Sequence, residues 1–201
     1  MADMEFQLGI SLMQEYIESC SNEVEFAQKI TSLVNSEGGT LWIGINAKGK
    51  IKGVYPKDEL DAIPMIIANY CSSTIVFDSE VKEISNKLLL VVHVKSGAKV
   101  AVLSVDGSVN YYHRLLGEIH PVNKIIEKWW KFQKEQATES PLDPKEIEKV
   151  FTCIDKTTLT QVYHLTGLSK STVDSAISWL LYLRRIHMLK EGERVIYQHS
   201  S

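Results

Sequence analysis

Residues 34–45 read Val-Asn-Ser-Glu-Gly-Gly-Thr-Leu-Trp-Ile-Gly-Ile, and this stretch decides the fold of the first half of the chain. Asn35, Ser36 and Glu37 are the polar signals that end a helix. Gly38 and Gly39 permit positive φ and a close approach of the backbone. The six residues from 40 to 45 include the β-branched and aromatic side chains of a buried strand. The chain is therefore predicted to turn here from a helix into a core strand.

Apolar spacing on either side of this stretch predicts an α+β domain over residues 1–121. Phe26, Ile30, Leu33 and Val34 recur with helical period, and Ser21 or Asn22 is suited to cap that helix. A second helix is expected from residues 56–58 to about residue 70. The other predicted elements are strands, at residues 13–17, 50–54, 74–84, 87–94, 100–105 and 109–115. Strands interspersed with two helices predict a mixed sheet in an α+β fold.

Several parts of this region resemble the Schlafen AlbA-like family. The residues that carry the resemblance are Asn-Ser-Glu-Gly-Gly-Thr-Leu-Trp-Ile-Gly-Ile at 35–45, then Asn-Ala-Lys-Gly and 51–54. Family members close with a hairpin whose second strand reads Tyr-Tyr-x-Arg before a glycine. Here residues 109–114 read Val-Asn-Tyr-Tyr-His-Arg, and Gly117 follows. The resemblance covers roughly residues 4–121. It implies a DNA-binding or nucleic-acid-processing module, of a kind that also occurs in RecG-related bacterial regulators.

The ribonuclease branch of that family implies a metal-dependent site of three acidic residues, two in a Glu-x4-Glu-Phe-Lys stretch and an Asp after the central strand. A divalent cation held against phosphate needs two or more carboxylates. Only Glu15 matches this pattern; the first Glu position falls on Ile10, the Lys on Ile17 and the Asp on Asn46 or Ala47. We therefore expect no enzyme activity, no metal site and no cofactor.

Three residues on predicted strands of this domain are of interest. His113 and Arg114 are neighbours in the stretch that matches the family, and the pair could contact a phosphate of a nucleic acid. An ordinary pair of residues on an edge strand explains them equally well. His93 is expected in the core of its strand.

The remaining residues predict a connecting segment and a second domain. Residues 122–136 are helical in character, and Trp129, Trp130 and Phe132 are too apolar for a free linker. We expect this helix to pack on the first domain or on a second subunit. Residues 137–141, Ala-Thr-Glu-Ser-Pro, are typical of a domain boundary. Residues 122–141 are accordingly a connecting helix and linker, and residues 142–201 form the second domain.

Residues 142–201 have the spacing of a small winged helix-turn-helix. Predicted helices span residues 143 to about 153, 158–166 and 170–184, with a turn at Gly167 to Ser169. Predicted strands at 186–190 and 195–198 form the wing. The buried stripe of the third helix is Val173, Ile177, Leu180 and Leu181.

In such a fold the start of the third helix faces the major groove of DNA. The exposed side chains there carry hydroxyl groups and one ammonium group, which can bond phosphates and base edges. The predicted DNA contacts are Thr158, Ser169, Lys170, Ser171, Thr172, Ser175, Arg185 and Arg194. Asp174 beside them opposes an anionic ligand, and a merely solvated helix face is the alternative.

Charge and composition bound the function. Residues 1–121 carry 10 Lys and Arg against 15 Asp and Glu, and residues 122–201 carry 12 against 10. The first domain is therefore not a generic phosphate binder unless its cations cluster. No apolar run approaches the roughly 20 residues of a membrane span, so we expect no membrane association. The first residues lack a secretory pattern, and we expect a cytoplasmic protein.

The leading hypothesis is a transcriptional regulator that binds duplex DNA through the winged helix. A homodimer is expected because two half-sites multiply the affinity of one weakly charged domain. RNA is an alternative ligand. The alternatives in other classes are a Schlafen-type ribonuclease and a protein-interaction adaptor, which the acidic first domain favours.

Overall fold

The computed structural model describes residues 13–104 and 106–200 of the chain. They form two compact units, divided between Pro121 and Val122. The first unit contains a mixed sheet and two helices, so the predicted α+β class is confirmed. No helix in the described ranges has both the length and the apolar character needed to cross a bilayer.

The first unit has a four-stranded sheet and a three-stranded sheet. Its elements are β1 (Gln14–Ile17), α1 (Glu23–Val34), β2 (Gly38–Ile43), α2 (Pro56–Tyr70), β3 (Phe77–Ile84), β4 (Lys87–Lys95), β5 (Ala101–Leu103), β6 (Val109–Leu115) and β7 (Glu118–Pro121). The larger sheet has the order β1-β2-β4-β3, with β1 parallel to β2 and the other neighbours antiparallel. The smaller sheet has the order β5-β6-β7.

Local sequence explains most of these boundaries. Asn22 caps α1, because its side chain accepts a hydrogen bond from the Glu25 amide at 3.3 Å. Ser85 and Asn86 both have positive φ, 53° and 62°, in the two-residue turn between β3 and β4. The helices pack on the larger sheet around fully buried side chains that include Phe26, Ile30, Leu33, Leu41 and Ile63.

Two features of the first unit differ from the prediction. The prediction of a strand at residues 50–54 was wrong, since the named strands do not include this stretch and Ile51 makes an isolated bridge with Ile45. Gly53 has φ of 76°, and its amide donates to the Gly44 carbonyl at 3.1 Å, so the backbone curls away from an extended path. In addition, β7 follows the predicted final hairpin and pairs with β6.

The second unit has four helices and one antiparallel sheet. Its elements are α3 (Lys124–Glu135), α4 (Pro144–Thr152), β8 (Thr157–Thr158), α5 (Leu159–Thr166), α6 (Lys170–Tyr182), β9 (Ile186–Glu191) and β10 (Arg194–His199). The sheet order is β8-β10-β9. The predicted buried stripe of α6 is confirmed, because Val173, Ile177, Leu180 and Leu181 all lie in the core of this unit.

Helix α3 packs against α6 within the second unit. The Ser178 hydroxyl donates to the Ile125 carbonyl at 2.8 Å, and the rings of Phe132 and Trp179 meet edge to face at 5.3 Å. The small Ser178 side chain, fully buried, lets the two helices approach closely. The sequence had predicted a partner in the first domain or in another subunit, whereas the apolar side of α3 completes the core of its own unit.

Candidate nucleic-acid interface

Asn35 links the end of α1 to the smaller sheet of the first unit. Its side chain is buried, and its amide nitrogen donates to the Val100 and Tyr112 carbonyls at 2.7 and 2.8 Å. Lys99 donates from Nζ to the Asn35 carbonyl at 2.8 Å, and burial lowers the pKa of Lys99. The residue that the sequence identified as a helix stop therefore also holds two separate chain segments together.

Glu15 and Arg114 form a buried ion pair beside this link. The Arg114 side chain is 4% exposed; it donates from Nη1 to Glu15 Oε1 and from Nη2 to the Gly117 carbonyl at 2.9 Å. Burial lowers the pKa of Arg114. Lys29 Nζ lies 3.1 Å from the other oxygen, Oε2, of the Glu15 carboxylate. Both carboxylate oxygens of Glu15 thus accept from cationic side chains, which is the environment of a structural anchor.

The Glu15–Arg114 ion pair involves a residue that the ribonuclease alternative would use in its metal site. Glu15 is the residue that matches a family glutamate, and the position of the other glutamate, Ile10, lies outside the described residues. Within residues 13–104 and 106–200 no group of three or more His, Cys, Asp or Glu side chains is placed to hold a metal ion. In the described structure Glu15 is engaged by Arg114 and Lys29.

His113 is enclosed in the first unit together with Arg114. Burial, and to a smaller extent the neighbouring His120 ring 6.3 Å away, lower the pKa of His113 to about 4. The imidazole is therefore neutral at pH 7. Because both side chains are buried, the predicted phosphate contact of His113 and Arg114 is not on the surface of this structure.

The prediction that His93 lies in the core was wrong. Its ring lies on a partly solvent-exposed face of the sheet, with the side chain 43% exposed. Nδ1 is 3.1 Å from the Thr40 hydroxyl oxygen, and Nε2 is 3.3 Å from Glu80 Oε1. A solvated chain of hydrogen bonds such as this contributes little to stability.

In the second unit, three of the predicted contact residues have hydroxyl groups that make hydrogen bonds at helix starts. The Ser169 hydroxyl caps α6 by accepting from the Thr172 amide at 3.1 Å, and it lies 2.9 Å from the Thr172 hydroxyl. The Thr158 hydroxyl caps α5 in a capping box with Gln161. These hydroxyl groups therefore already order the helix starts that they were predicted to present to DNA.

Lys170 and Asp174 lie near each other in sequence but have different surroundings. Lys170 is exposed, with Nζ 5.7 Å from the centre of the Tyr163 ring. Asp174 is buried and accepts a hydrogen bond of 2.5 Å from the Tyr163 hydroxyl. Burial and this hydrogen bond raise the pKa of Tyr163. The sequence predicted that Asp174 would oppose an anionic ligand, whereas in the structure its side chain is buried in the second unit.

Lys128 of α3 contacts the side of α6 that carries Ser171 and Ser175. Its Nζ donates to the Ser175 hydroxyl at 2.6 Å and to the Ser171 carbonyl at 3.1 Å. Ser175 is half-buried, whereas the sequence predicted it in solvent. Sequence reasoning missed Lys128 because α3 was interpreted as a connector between domains; its lysines at helical spacing were the signal available.

Arg185 and Arg194 have exposed side chains in the second unit. Arg185 follows α6, and its guanidinium carbon lies 4.6 Å from the centre of the Phe151 ring. Arg194 is the first residue of β10, at the hairpin turn. Both are therefore accessible to a ligand.

A family model described as Schlafen, AlbA_2 matches residues 11–123, which is more than half of the 201-residue chain. The chain belongs to the Schlafen AlbA_2 family. The matched region covers the first unit from residue 11 onward and the first two residues of the second unit. Membership of the Schlafen AlbA_2 family supports nucleic-acid binding as the class of function.

Two solved structures are similar to parts of this Schlafen AlbA_2 protein. The DIP2311 protein from Corynebacterium diphtheriae is 16% identical, with a TM-score of 0.44, over 90% of this chain and 30% of that chain. The N-terminal domain of a RecG-related protein from Nitrosomonas europaea is 18% identical, with a TM-score of 0.38, over 51% of this chain and 75% of that chain. This chain thus spans less than a third of the length of the Corynebacterium protein. No curated protein matches it.

Proposed function

We propose that this protein is a transcriptional regulator that binds duplex DNA through its second unit. The observation that carries the proposal is the exposed start of α6, where Ser169, Lys170 and Ser171 lie at the surface. The helices α4, α5 and α6 followed by the β9–β10 hairpin have the element order of a winged helix-turn-helix. In that fold the start of the third helix enters the major groove.

Charge and burial around α6 support the same reading. Residues 122–201 are net basic by two charges, whereas residues 1–121 are net acidic by five. The buried position of Asp174 removes the nearest carboxylate from the surface that would meet phosphates. Arg185 and Arg194 are exposed and can contact the DNA backbone.

A homodimer is part of this proposal. One second unit offers few cationic contacts, and two units on neighbouring half-sites multiply the affinity of each. The acidic first unit would then serve subunit association or signal detection rather than generic phosphate binding.

The experiment is the binding of the purified protein to pooled random duplex DNA and to structured RNA, in a salt series, with magnesium or with a chelator. We expect duplex binding that weakens with salt and leaves the strands intact. Lys170→Glu should weaken it by about 1 to 3 kcal/mol. The matched control is Lys145→Glu, at an exposed position of α4, which should change affinity less.

Other results would overturn the proposal. Magnesium-dependent cleavage would instead support a nucleic-acid-processing enzyme. Tight binding to RNA alone would replace the duplex as ligand. The absence of binding to either polymer at low salt would leave a protein-interaction adaptor as the better description. Sedimentation of the protein with and without a bound duplex would test the homodimer.

A further inference from the structure

We propose that α3 carries a second phosphate-binding surface, a lysine row formed by Lys124, Lys128 and Lys131, which extends the α6 site along the backbone of bound duplex DNA. The inference rests on the proposed function, since it assumes that the second unit binds DNA. It adds a group of residues that sequence reasoning assigned to a connector.

The three lysines lie on one side of α3. They are spaced at i, i+4 and i+7, so their side chains project within about 60° of each other around the helix. Lys124 and Lys131 are exposed, and the Lys131 side chain is 68% exposed. The side of α3 next to this row carries Ile125, Trp129 and Phe132, which pack inside the second unit. Packing of that apolar side fixes the direction in which the lysine row points.

Lys128 joins the lysine row to the predicted DNA surface. Its ammonium group lies 2.6 Å from the Ser175 hydroxyl oxygen and 3.1 Å from the Ser171 carbonyl oxygen, both in the first turns of α6. At these distances the positive charge of Lys128 lies directly beside the start of α6. Lys128 therefore connects the lysine row of α3 to the start of α6.

The length of the lysine row suits a DNA strand. From Lys124 to Lys131 an α-helix rises about 10 Å, and one strand of B-DNA carries a phosphate about every 3.4 Å along the axis. The row can therefore contact about three successive phosphates. The pairing of phosphates with lysines is electrostatic and carries no base information.

The acidic residues of α3 do not cancel the charge of the row. The helix has four lysines and two glutamates. Glu135 lies 3.9 Å from Lys131 Nζ, and both side chains are more than half exposed, so this ion pair is weak and a phosphate can replace the carboxylate. Glu127 is exposed and borders the row, since it is three residues after Lys124 and four before Lys131, but the helix remains net positive by two charges.

The position of α3 also limits which side chains of α6 can contact base edges. Ser178 is fully buried against α3, and Ser175 is half-buried, so only the first turn of α6 presents hydroxyl groups freely to base edges. Contacts to the phosphate backbone would then supply most of the affinity. Binding should accordingly depend strongly on salt.

The test compares two double variants of the 201-residue chain with equal loss of charge. Lys124→Gln with Lys131→Gln removes the exposed ends of the row, and Lys145→Gln with Lys149→Gln removes two exposed lysines of α4. Affinity for one fluorescent duplex is measured from 0.05 to 0.3 M salt. If each lysine contacts one phosphate, the α3 variant should lower the magnitude of the slope of log K against log salt by about 2. Its affinity at 0.1 M salt should fall about tenfold or more.

The outcomes separate the two proposals. The lysine row is supported if the slope of log K against log salt becomes less steep in the α3 variant and changes less in the α4 variant. If the wild type binds and Lys170→Glu weakens binding, but the two double variants behave alike, the lysine row is refuted and the proposed function stands. If the wild type does not bind duplex DNA at 0.05 M salt, both are refuted. Circular dichroism of each variant confirms that a loss of binding does not reflect unfolding.

Discussion

Asn35 and Val100 exchange two hydrogen bonds across 65 positions of sequence. The Asn35 amide nitrogen donates to the Val100 carbonyl at 2.7 Å, and the Val100 amide donates to Asn35 Oδ1 at 2.7 Å. The side-chain amide thus takes the place that a peptide group of a neighbouring strand would occupy. Because Asn35 is 1% and Val100 2% exposed, water cannot substitute for either bond.

Replacement of Asn35 by alanine should destabilise the first unit. The change leaves the Val100 amide, the Val100 carbonyl and the Tyr112 carbonyl without this partner, at a cost of about 2 to 4 kcal/mol. Urea denaturation followed by circular dichroism measures the loss. Asn110→Ala, at an exposed position of β6, is the control and should change the free energy of unfolding by about 0.5 kcal/mol or less. Equal effects of the two variants would contradict a structural role for the Asn35 amide.

The Glu15–Arg114 ion pair should show strong energetic coupling. Glu15→Gln removes the carboxylate partner of the buried Arg114 charge and should cost about 3 to 5 kcal/mol, whereas Arg114→Met leaves Glu15 with Lys29 beside it and should cost less. The double variant should cost less than the sum of the two, because the second change removes the charge whose partner the first change removed. The coupling energy is obtained from the free energies of unfolding of the wild type, the two single variants and the double variant.

The exposed pair of Lys131 and Glu135 is the control for this cycle. Both side chains are more than half exposed, so its coupling should be below about 1 kcal/mol. Additive effects of Glu15→Gln and Arg114→Met would contradict the buried pair.

His113 should make the first unit less stable at acid pH. Its pKa in the folded protein is about 4, below the value of about 6.5 in an unfolded chain, so the unfolded state binds the proton between these two pH values. The contribution of His113 to the free energy of unfolding is fully present above pH 6.5. It declines as the pH falls towards 4, by about 3 kcal/mol in total.

The measurement is the free energy of unfolding at pH 7, 6, 5 and 4.5 for the wild type and for His113→Gln. The variant should show a smaller loss of stability across this range, since the titrating group is gone. His113→Asn serves as a second variant if the first does not fold at pH 7. Identical pH dependence in wild type and variant would show that His113 is not the group responsible.

Gly39 should not accept even a methyl side chain. Its φ is 144°, and a Cβ atom there would lie 2.2 Å from the Met13 carbonyl oxygen and 2.8 Å from Leu33 Cδ2. Gly39→Ala should therefore destabilise the first unit by at least about 2 kcal/mol. Gly97→Ala is the control, because no heavy atom beyond the adjoining residues of the chain lies within 4 Å of the added Cβ. A similar melting temperature for both variants would contradict the close approach at Gly39.

Secondary structure was largely predictable because it depends on local patterns. The helical period of Phe26, Ile30 and Leu33 predicted α1, and the Ser85-Asn86 turn predicted the hairpin of β3 and β4. The conformation of residues 50–54 was not predictable in this way. Whether the backbone at Ile51 continues as a strand depends on which backbone groups lie nearby. The candidate contacts of α6 were partly predictable for the same reason: helix starts are marked by Ser169 and Thr158.

The sequence alone determined the class of the fold, the family signature at residues 35–45 and the position of the α6 start, because all three depend on neighbouring residues. Only the tertiary structure decided which charged groups are available. It paired Arg114 with Glu15, buried His113 and Asp174, and brought Lys128 to Ser175. These outcomes depend on contacts between segments 11 to 99 positions apart, and the desolvation that accompanies such contacts has no signature in local sequence.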